Sequence, residues 1–315
     1  MEGRRVLITG GAGFVGSHLV ERLGAGNDVT IIDDLTTGTL RNLADAPRDV
    51  HLKKASVLDE EPLREAMKDR EVVYHLAAKT SVPESVAKPE IYWRTNVEGT
   101  VRVLKSAADG GAKRVVFVSS AAVYGNSPEM PKVESMRPSP ESPYAMTKMV
   151  GEFACEEIRG LTGIETVVVR LFNAYGSRQD PSSPYAGVMA KFSVAVAKGR
   201  PVEIYGDGEQ TRDFVYIGDI AEALERAGEK PVNGLVMNVA SGEAITVNEV
   251  VRILSDLEGR PVKSVRKPER PGDIRHSRAD VTIAREKLGF KARTSVRDGL
   301  SKTLAWAKER AGHPN

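Results

Sequence analysis

Residues 9–16 read T-G-G-A-G-F-V-G and join a short apolar run, R-V-L-I-T, to a stretch whose apolar residues have helical spacing, S-H-L-V-E-R-L. Gly10, Gly13 and Gly16 therefore lie where a predicted strand ends and a predicted helix begins. Glycines at such a turn let backbone amides approach a pyrophosphate, and the helix N-terminus adds a favourable partial charge. The stretch predicts a dinucleotide-binding βαβ unit.

Asp33 ends the next predicted strand, D-V-T-I-I-D. Its distance along the chain from the glycines is the one at which a carboxylate meets the hydroxyls of the adenosine ribose. A carboxylate there would repel a 2′-phosphate, and no arginine follows it immediately. The pattern therefore favours NAD over NADP.

The first half of the chain alternates short valine- and isoleucine-rich runs with helix-length amphipathic segments. That alternation predicts an α/β protein with a Rossmann-type, doubly wound parallel sheet. After about Asn173 this regular alternation of apolar runs and amphipathic segments changes. The change predicts a second, smaller, mainly C-terminal α/β domain that binds the substrate. We expect residues 1–173 and 214–240 to form the NAD-binding domain, and residues 174–213 and 241–315 to form the other.

Composition narrows the possible classes of protein. The 315 residues are 41% hydrophobic and 28% charged, which is typical of a globular chain. Lys and Arg number 45 against 43 Asp and Glu, so no overall charge favours nucleic acid or a membrane surface. The one cysteine, Cys155, excludes an intramolecular disulfide and a cysteine-based zinc cluster. With no predicted membrane span, metal site or signal peptide, we expect a cytoplasmic protein.

Tyr144 and Lys148 are spaced to share one face of a helix, in Y-A-M-T-K. A nearby ammonium lowers a phenol's pKa from about 10, and such a phenol can take a proton from an alcohol while hydride leaves the same carbon. Ser120 follows the apolar run V-V-F-V-S, at the sheet edge where open α/β sheets bind ligands, and its hydroxyl could bond the reacting oxygen. Each residue alone is ordinary, but together they predict a redox site.

The glycine loop, H-L-A-A, S-S-A-A-V-Y-G, Y-A-M-T-K and R-D-F-V-Y-I-G-D-I-A resemble the extended short-chain dehydrogenase/reductase superfamily. Within it the chain is similar to the UDP-hexose 4-epimerases over essentially its whole length. The resemblance implies a Rossmann domain that retains NAD and a smaller domain that binds a UDP-sugar. It also implies epimerisation by transient oxidation at C4, with Tyr144 as the base, Lys148 tuning it and anchoring the nicotinamide ribose, and Ser120 as its hydrogen-bonding partner.

The same resemblance implies the binding residues. It assigns the NAD site to Gly10, Gly13, Phe14, Val15, Gly16, Asp33, Thr37, Val57, Leu76, Ala77, Ala78 and Asn96, together with Tyr144 and Lys148. It assigns the UDP-sugar site to Ser81, Ser120, Asn173, Val188, Tyr205, Arg212, Arg270, Asp273 and Ser277. From the residues alone Asn96 is equally well a helix cap.

Related chemistries are separated by the residues beside Ser120. Sugar-nucleotide 4,6-dehydratases carry an Asp-Glu pair where this chain has Ala121 and Ala122, and UDP-glucuronate decarboxylases generally carry a glutamate near that point. Epimerisation needs no further acid or base. We therefore predict an isomerase acting on UDP-glucose and UDP-galactose. The alternatives are a UDP-glucuronate 4-epimerase, with Arg178 or Lys79 near C6, and a non-catalytic NAD-sensing relative.

Ser277 bears on the range of sugars. Epimerases restricted to unacetylated sugars have a tyrosine at the matching position, and those accepting N-acetyl sugars have a small residue. The serine therefore predicts that UDP-GlcNAc and UDP-GalNAc also enter. In relatives, the helices matching Asn96–Ala108 and Tyr144–Ile158 pair across a two-fold axis as a four-helix bundle, so a homodimer is expected.

Overall fold

The computed structural model describes residues 1–181, 187–269 and 274–312. Its strands are β1 (Arg5–Thr9), β2 (Asp28–Asp33), β3 (His51–Lys54), β4 (Val72–His75), β5 (Arg114–Ser120), β6 (Glu165–Leu171), β7 (Asn173–Tyr175), β8 (Val202–Tyr205), β9 (Thr211–Tyr216), β10 (Val236–Val239), β11 (Ala244–Thr246) and β12 (Ser264–Lys267). Its α-helices are α1 (Phe14–Gly24), α2 (Glu60–Met67), α3 (Val82–Ala87), α4 (Pro89–Tyr92), α5 (Gly99–Asp109), α6 (Pro143–Thr162), α7 (Val188–Ala197), α8 (Ile217–Glu229), α9 (Val247–Glu258) and α10 (Val296–Gly312).

Seven strands form one parallel sheet in the order β10-β6-β5-β4-β1-β2-β3. The predicted fold class is confirmed, because helices cover both faces of this sheet. Neighbouring residues of each strand point to opposite faces. Thus Val6 and Ile8 pack with α1 and α8 in one apolar cluster, whereas Leu7 packs with α2, α5 and α6 in another.

The remaining strands form two small sheets, β11-β9-β7 and β12-β8. A third apolar cluster lies among them, with Phe192 of α7, Leu254 of α9 and Leu300 of α10. The last helix of the described residues is α10. β10 belongs to the large sheet, and Leu288 and Phe290 pack in the first apolar cluster. The division of the chain into two domains stays a prediction.

The strand order reverses between β1 and β4, which lie side by side although β2 and β3 separate them in the chain. In open α/β sheets the crevice outside the carboxyl ends of the strands at such a point is the usual ligand site. The glycine loop follows β1, and Leu76 to Ala78 follow β4. Both segments therefore meet at this crevice.

Residues at both ends of helix α6 define where it begins and where it ends. Ser142 precedes it and accepts a hydrogen bond from the amide of Ala145 at 3.1 Å, and Pro143 begins it with a backbone angle that suits a first turn. Gly163 ends it with φ +76°, a left-handed conformation that glycine adopts readily. The 20 residues between carry Tyr144 and Lys148 on one face.

Candidate active site

The glycine loop is shaped by close backbone contacts. Gly10 has φ +71°, and a Cβ atom on it would lie 2.7 Å from the amide nitrogen of Ala77. A Cβ atom on Gly16 would lie 2.1 Å from the carbonyl oxygen of Gly10. Gly13 precedes α1 and provides no side-chain cap, and the first turn of α1 contains no acidic residue. The helix N-terminus therefore presents uncapped partial positive charge at the crevice.

Asp33 is buried beside this loop. Its Oδ2 accepts from the amide of Ala12 at 2.9 Å and its Oδ1 from the amide of Leu35 at 2.8 Å. Burial raises the pKa of the carboxyl group, and the two backbone hydrogen bonds oppose that rise. A carboxylate can accept about four hydrogen bonds, so two further acceptor positions exist for ligand hydroxyls. Thr37, in the segment that follows β2, is exposed.

The residues after β4 are held by Thr9, the last residue of β1. Its Oγ1 accepts from the amides of Leu76 at 3.2 Å and Ala77 at 3.1 Å. His75 is fully buried, with its ring nitrogens bonded to Thr9 and Thr100, as expected for a packed residue rather than an acid or base. These bonds fix the backbone at the edge of the crevice.

Several residues predicted to contact the cofactor pack around these segments. Phe14 and Val15 begin α1 and contact the first apolar cluster, and Val57 is buried in the second. Asn96 lies inside a helical turn, Trp93–Glu98, and is not a cap. Its amide donates to the carbonyl of Lys79 and to the hydroxyl of Thr147 and accepts from the amide of Lys79 at 2.8 Å. Asn96 thus clamps residue 79 to α6.

Tyr144 and Ser120 meet at the carboxyl edge of β5. The Ser120 hydroxyl lies beside the phenol of Tyr144, and its oxygen accepts from the amide of Ala122 at 3.2 Å. Tyr144 is 8% exposed. Burial raises the pKa of its phenol, and the nearby Ser120 hydroxyl partly offsets that rise.

Lys148 lies one turn after Tyr144 and is 5% exposed. Its Nζ donates to the carbonyl of Val118 at 2.8 Å and lies 5.1 Å from the centroid of the Phe117 ring. Burial lowers the pKa of the amine to about 8. That this ammonium brings the phenol's pKa below 10 stays a prediction. Among the protein's own groups, burial raises the pKa of the Tyr144 phenol.

A second group of predicted residues gathers around the start of β9. The Asn173 amide donates to the carbonyl of Asp213 at 2.9 Å, and the Ser277 amide donates to the carbonyl of Thr211 at 3.1 Å. Arg212 lies between Thr211 and Asp213 on β9. Val188 begins α7 and Tyr205 ends β8. Ser81 caps α3 by accepting from the amide of Glu84 at 3.2 Å. Arg270 and Asp273 lie outside the described residues.

Comparison with known proteins agrees with this geometry. Residues 6–240 match the model of the NAD dependent epimerase/dehydratase family. The UDP-glucose 4-epimerase of Mycolicibacterium smegmatis is 39% identical over 98% of this chain and 99% of its own length.

The chain belongs to the NAD dependent epimerase/dehydratase family.

Two solved structures of this family superpose closely on the fold. The UDP-N-acetylglucosamine 4-epimerase of Methanobrevibacter ruminantium M1, in complex with UDP-N-acetylmuramic acid, has a TM-score of 0.95 and 39% identity, covering 98% of this chain and 100% of that one. The UDP-glucose 4-epimerase of Thermotoga maritima, with UDP-glucose, has a TM-score of 0.92 and 36% identity, covering 98% and 99%. The predicted family and enzyme class are confirmed: this chain is an NAD-dependent epimerase.

The residues present fit the NAD of this epimerase family. Gly10 and Gly16 leave no room for side chains, the start of α1 is uncapped, and the amide of Ala12 in the loop holds Asp33. Each feature suits a pyrophosphate followed by a ribose. In the described part of the chain, every helix is too short or too polar to cross a lipid bilayer.

Some residues that shape the epimerase site were missed from the sequence. The Ser85 hydroxyl accepts from the amide of Tyr144 at 3.1 Å, and the Thr147 hydroxyl donates to the carbonyl of Tyr144 at 2.7 Å. Asp213 accepts from Ser241, Gly242 and Ala279 and so ties two loops to β9. Ser85 and Asp213 have no local signal, because their partners depend on how distant segments pack, whereas Thr147 bonds within its own helix.

Proposed function

We propose that this epimerase interconverts UDP-glucose and UDP-galactose, and also UDP-GlcNAc and UDP-GalNAc, at C4 of the sugar. The observation that carries the proposal is the placement of the Ser120 hydroxyl beside the phenol of Tyr144, next to a glycine loop that fits NAD. Relatives named as UDP-glucose and UDP-N-acetylglucosamine 4-epimerases support it.

In this proposal Tyr144 carries the proton. Its phenolate oxygen takes the proton of the sugar hydroxyl and later returns it, and the Ser120 hydroxyl beside it orients the reacting oxygens. Lys148, one turn behind, supplies positive charge that favours the phenolate. When bound, NAD⁺ supplies the hydride acceptor and a further positive charge. The burial of Tyr144 excludes water, which strengthens these interactions.

A dehydration is disfavoured by the residues beside Ser120. Ala121 and Ala122 begin the turn Ala121–Tyr124, where a dehydratase of this family has acidic side chains. Loss of water from a sugar needs an additional acid and base, and alanine supplies neither. The side chains present at this edge of the sheet therefore support epimerisation.

The range of sugars rests on Ser277. It is half-buried, and its backbone is held to Thr211 beside Arg212. A serine at this position occupies much less volume than the tyrosine of restricted epimerases, which leaves space for an N-acetyl group at C2. We therefore expect the enzyme to accept both acetylated and unacetylated UDP-sugars.

The alternative of a glucuronate epimerase needs a cation near C6. Arg178 is committed elsewhere, because its Nη2 pairs with Glu21 at 2.8 Å and Asp45 at 3.1 Å and its Nη1 donates to the carbonyl of Ser17. Lys79 stays a candidate, since Asn96 holds its backbone at the crevice edge. A non-catalytic, NAD-sensing role is disfavoured because Tyr144 and Lys148 are both present.

We also propose a homodimer formed through α5 and α6. Val101 on α5 and Phe153 on α6 are 47% and 56% exposed, although both are large and apolar. Exposed apolar side chains on neighbouring helices are typical of a protein interface. Pairing of the two helices with those of a second copy would bury them as a four-helix bundle.

The experiment is an assay of purified protein on UDP-glucose, UDP-galactose, UDP-GlcNAc, UDP-GalNAc and UDP-glucuronate, together with the NAD content measured by mass analysis. We expect conversion of the first four. Tyr144→Phe should retain NAD and lose turnover by about 100-fold or more. Unchanged turnover in that variant would remove the phenol from the mechanism, and conversion of UDP-glucuronate alone would establish the alternative.

A further inference from the structure

The face of α6 that carries Tyr144 and Lys148 continues to a third buried polar residue. Glu152 follows Lys148 at the same spacing of four and is 9% exposed. Residues spaced by four lie above one another on a helix. This face of α6 therefore carries, in chain order, the phenol of Tyr144, the amine of Lys148 and the carboxylate of Glu152.

Glu152 is held by groups from two strands. Arg170 on β6 donates to it through Nε at 2.9 Å and Nη2 at 2.6 Å, and the Ser119 hydroxyl on β5 donates to the same Oε1 that accepts from Nε. Arg170 is held in turn, because its guanidinium carbon lies 4.8 Å from the centroid of the Tyr124 ring. A bidentate, buried pair of this kind has a fixed geometry.

The groups around Lys148 show why a fixed carboxylate matters. On α6, Tyr144 lies one turn before it, and Glu152 and Cys155 act on its charge from the turns after it. His75 lies near it on β4, and Arg170 on β6 is bonded to Glu152. Among the described residues that affect the pKa of Lys148, Glu152 is the only carboxylate, and its charge opposes the lowering caused by burial. His75 is neutral, since burial lowers its pKa to about 3.

We propose that Glu152, fixed by Arg170 and Ser119, is a positioning residue that keeps Lys148 in its ammonium form behind Tyr144. The proposal rests on the proposed function, because it concerns the same phenol. The Arg170–Glu152 pair is neutral as a unit, and a Tyr144 phenolate with a Lys148 ammonium is neutral too. The buried row therefore carries no net charge when the phenol acts as a base, which lowers the cost of forming the phenolate.

The sign of the effect follows from the charges. Glu152→Gln removes the negative charge and leaves that of Arg170, so the pKa of Lys148 falls. The ammonium is then lost at a lower pH, and the phenolate of Tyr144 forms at a higher pH because its positive neighbour is gone. Activity should decline on the alkaline side at a pH lower than in the wild type by about one unit.

The test compares Glu152→Gln with Glu152→Asp, which retains the charge, and with the double variant Glu152→Gln/Arg170→Gln, which removes the pair without leaving a lone buried charge. Two quantities are measured: the pH profile of turnover, and the tyrosinate absorbance of Tyr144 as a difference between each protein and its Tyr144→Phe counterpart. We expect a shifted alkaline limb and delayed tyrosinate formation in Glu152→Gln, the wild-type limb in Glu152→Asp, and a smaller shift in the double variant.

Superimposable pH profiles and tyrosinate curves in wild type and Glu152→Gln would overturn the proposal. If Glu152→Gln does not fold, the double variant decides, and an unshifted double variant overturns it equally. The tyrosinate curves do not depend on any sugar substrate. A protein that converts no UDP-sugar would therefore contradict the proposed function while the absorbance curves still test the role of Glu152.

Discussion

The backbone amide of Tyr144 donates to the hydroxyl oxygen of Ser85 at 3.1 Å, although 59 residues separate them in the chain. Tyr144 occupies the first turn of α6, whose amides have no partner inside the helix. Ser85 in α3 is fully buried and also donates to the carbonyl of Val82. The backbone that carries the proposed base is thus attached to a second helix at one atom.

Replacement of Ser85 by alanine should leave that buried amide unpaired, at a cost of about 1–3 kcal/mol in the free energy of unfolding. Because the amide belongs to Tyr144 itself, turnover should fall by about 10-fold or more with little change in KM. The control is Ser142→Ala, which removes the cap on Ala145 in the same turn. It should cost about 1 kcal/mol but change turnover much less. Equal losses of turnover in the two variants would contradict the specific role of Ser85.

Gly16→Ala should release NAD. The added Cβ would lie 2.1 Å from the carbonyl oxygen of Gly10, so the loop has to move away from its present path. We expect the ratio of NAD to protein, measured by mass analysis, to fall by about 10-fold or more. Gly160→Ala is the matched control, because its Cβ would meet nothing within 4 Å and alanine favours a helix. Retention of NAD by Gly16→Ala would show that the loop adapts.

Ser277→Tyr should narrow the range of sugars. A bulky side chain beside C2 removes space for an N-acetyl group while leaving room for a hydroxyl. Turnover of UDP-GlcNAc should fall by about 10-fold or more relative to that of UDP-galactose, since steric rejection of a small group is worth about 1–3 kcal/mol. Ser277→Ala should retain both activities. An unchanged ratio in the tyrosine variant would show that Ser277 does not line the C2 position.

The stability of the fold should depend on His75 at acid pH. Its Nδ1 and Nε2 are bonded to Thr9 at 2.7 Å and Thr100 at 2.9 Å, and burial lowers its pKa from 6.5 to about 3. Between these two pKa values the unfolded chain binds a proton that the folded protein does not. The free energy of unfolding therefore falls as the pH falls through this window, by about 1.4 kcal/mol per pH unit from this group.

Denaturant unfolding of His75→Gln between pH 6.5 and 4.5 measures this contribution. The variant should be less stable at neutral pH, because its hydrogen bonds are altered, but its stability should decline less steeply as the pH is lowered. His51→Gln, at an exposed residue of β3, should keep the wild-type slope. A slope in His75→Gln as steep as that of the wild type would rule out this source of acid sensitivity.

Phe153→Glu should weaken the proposed dimer. The side chain is 56% exposed on α6, and a charge there would be buried without a partner on association. Sedimentation or light scattering should report a dimer for the wild type and a monomer for the variant. Leu40→Glu introduces the same charge at a residue that is 59% exposed but distant from α6 in the chain, and it should remain dimeric. A monomeric wild type would refute the proposed assembly.

The sequence by itself determined the parallel α/β fold, the glycine loop, the acid at the end of β2 and the shared face of Tyr144 and Lys148. These features are local. Short runs of consecutive residues determine the periodicity of a strand or helix and the position of a turn that requires glycine. Only the tertiary structure decided how that face is supported. Ser85 reaches Tyr144 and Arg170 reaches Glu152 because α3 and β6 pack against α6, and desolvation sets the pKa values of the phenol and amine. Burial and distant contacts arise from the whole fold, so no short stretch of sequence encodes them.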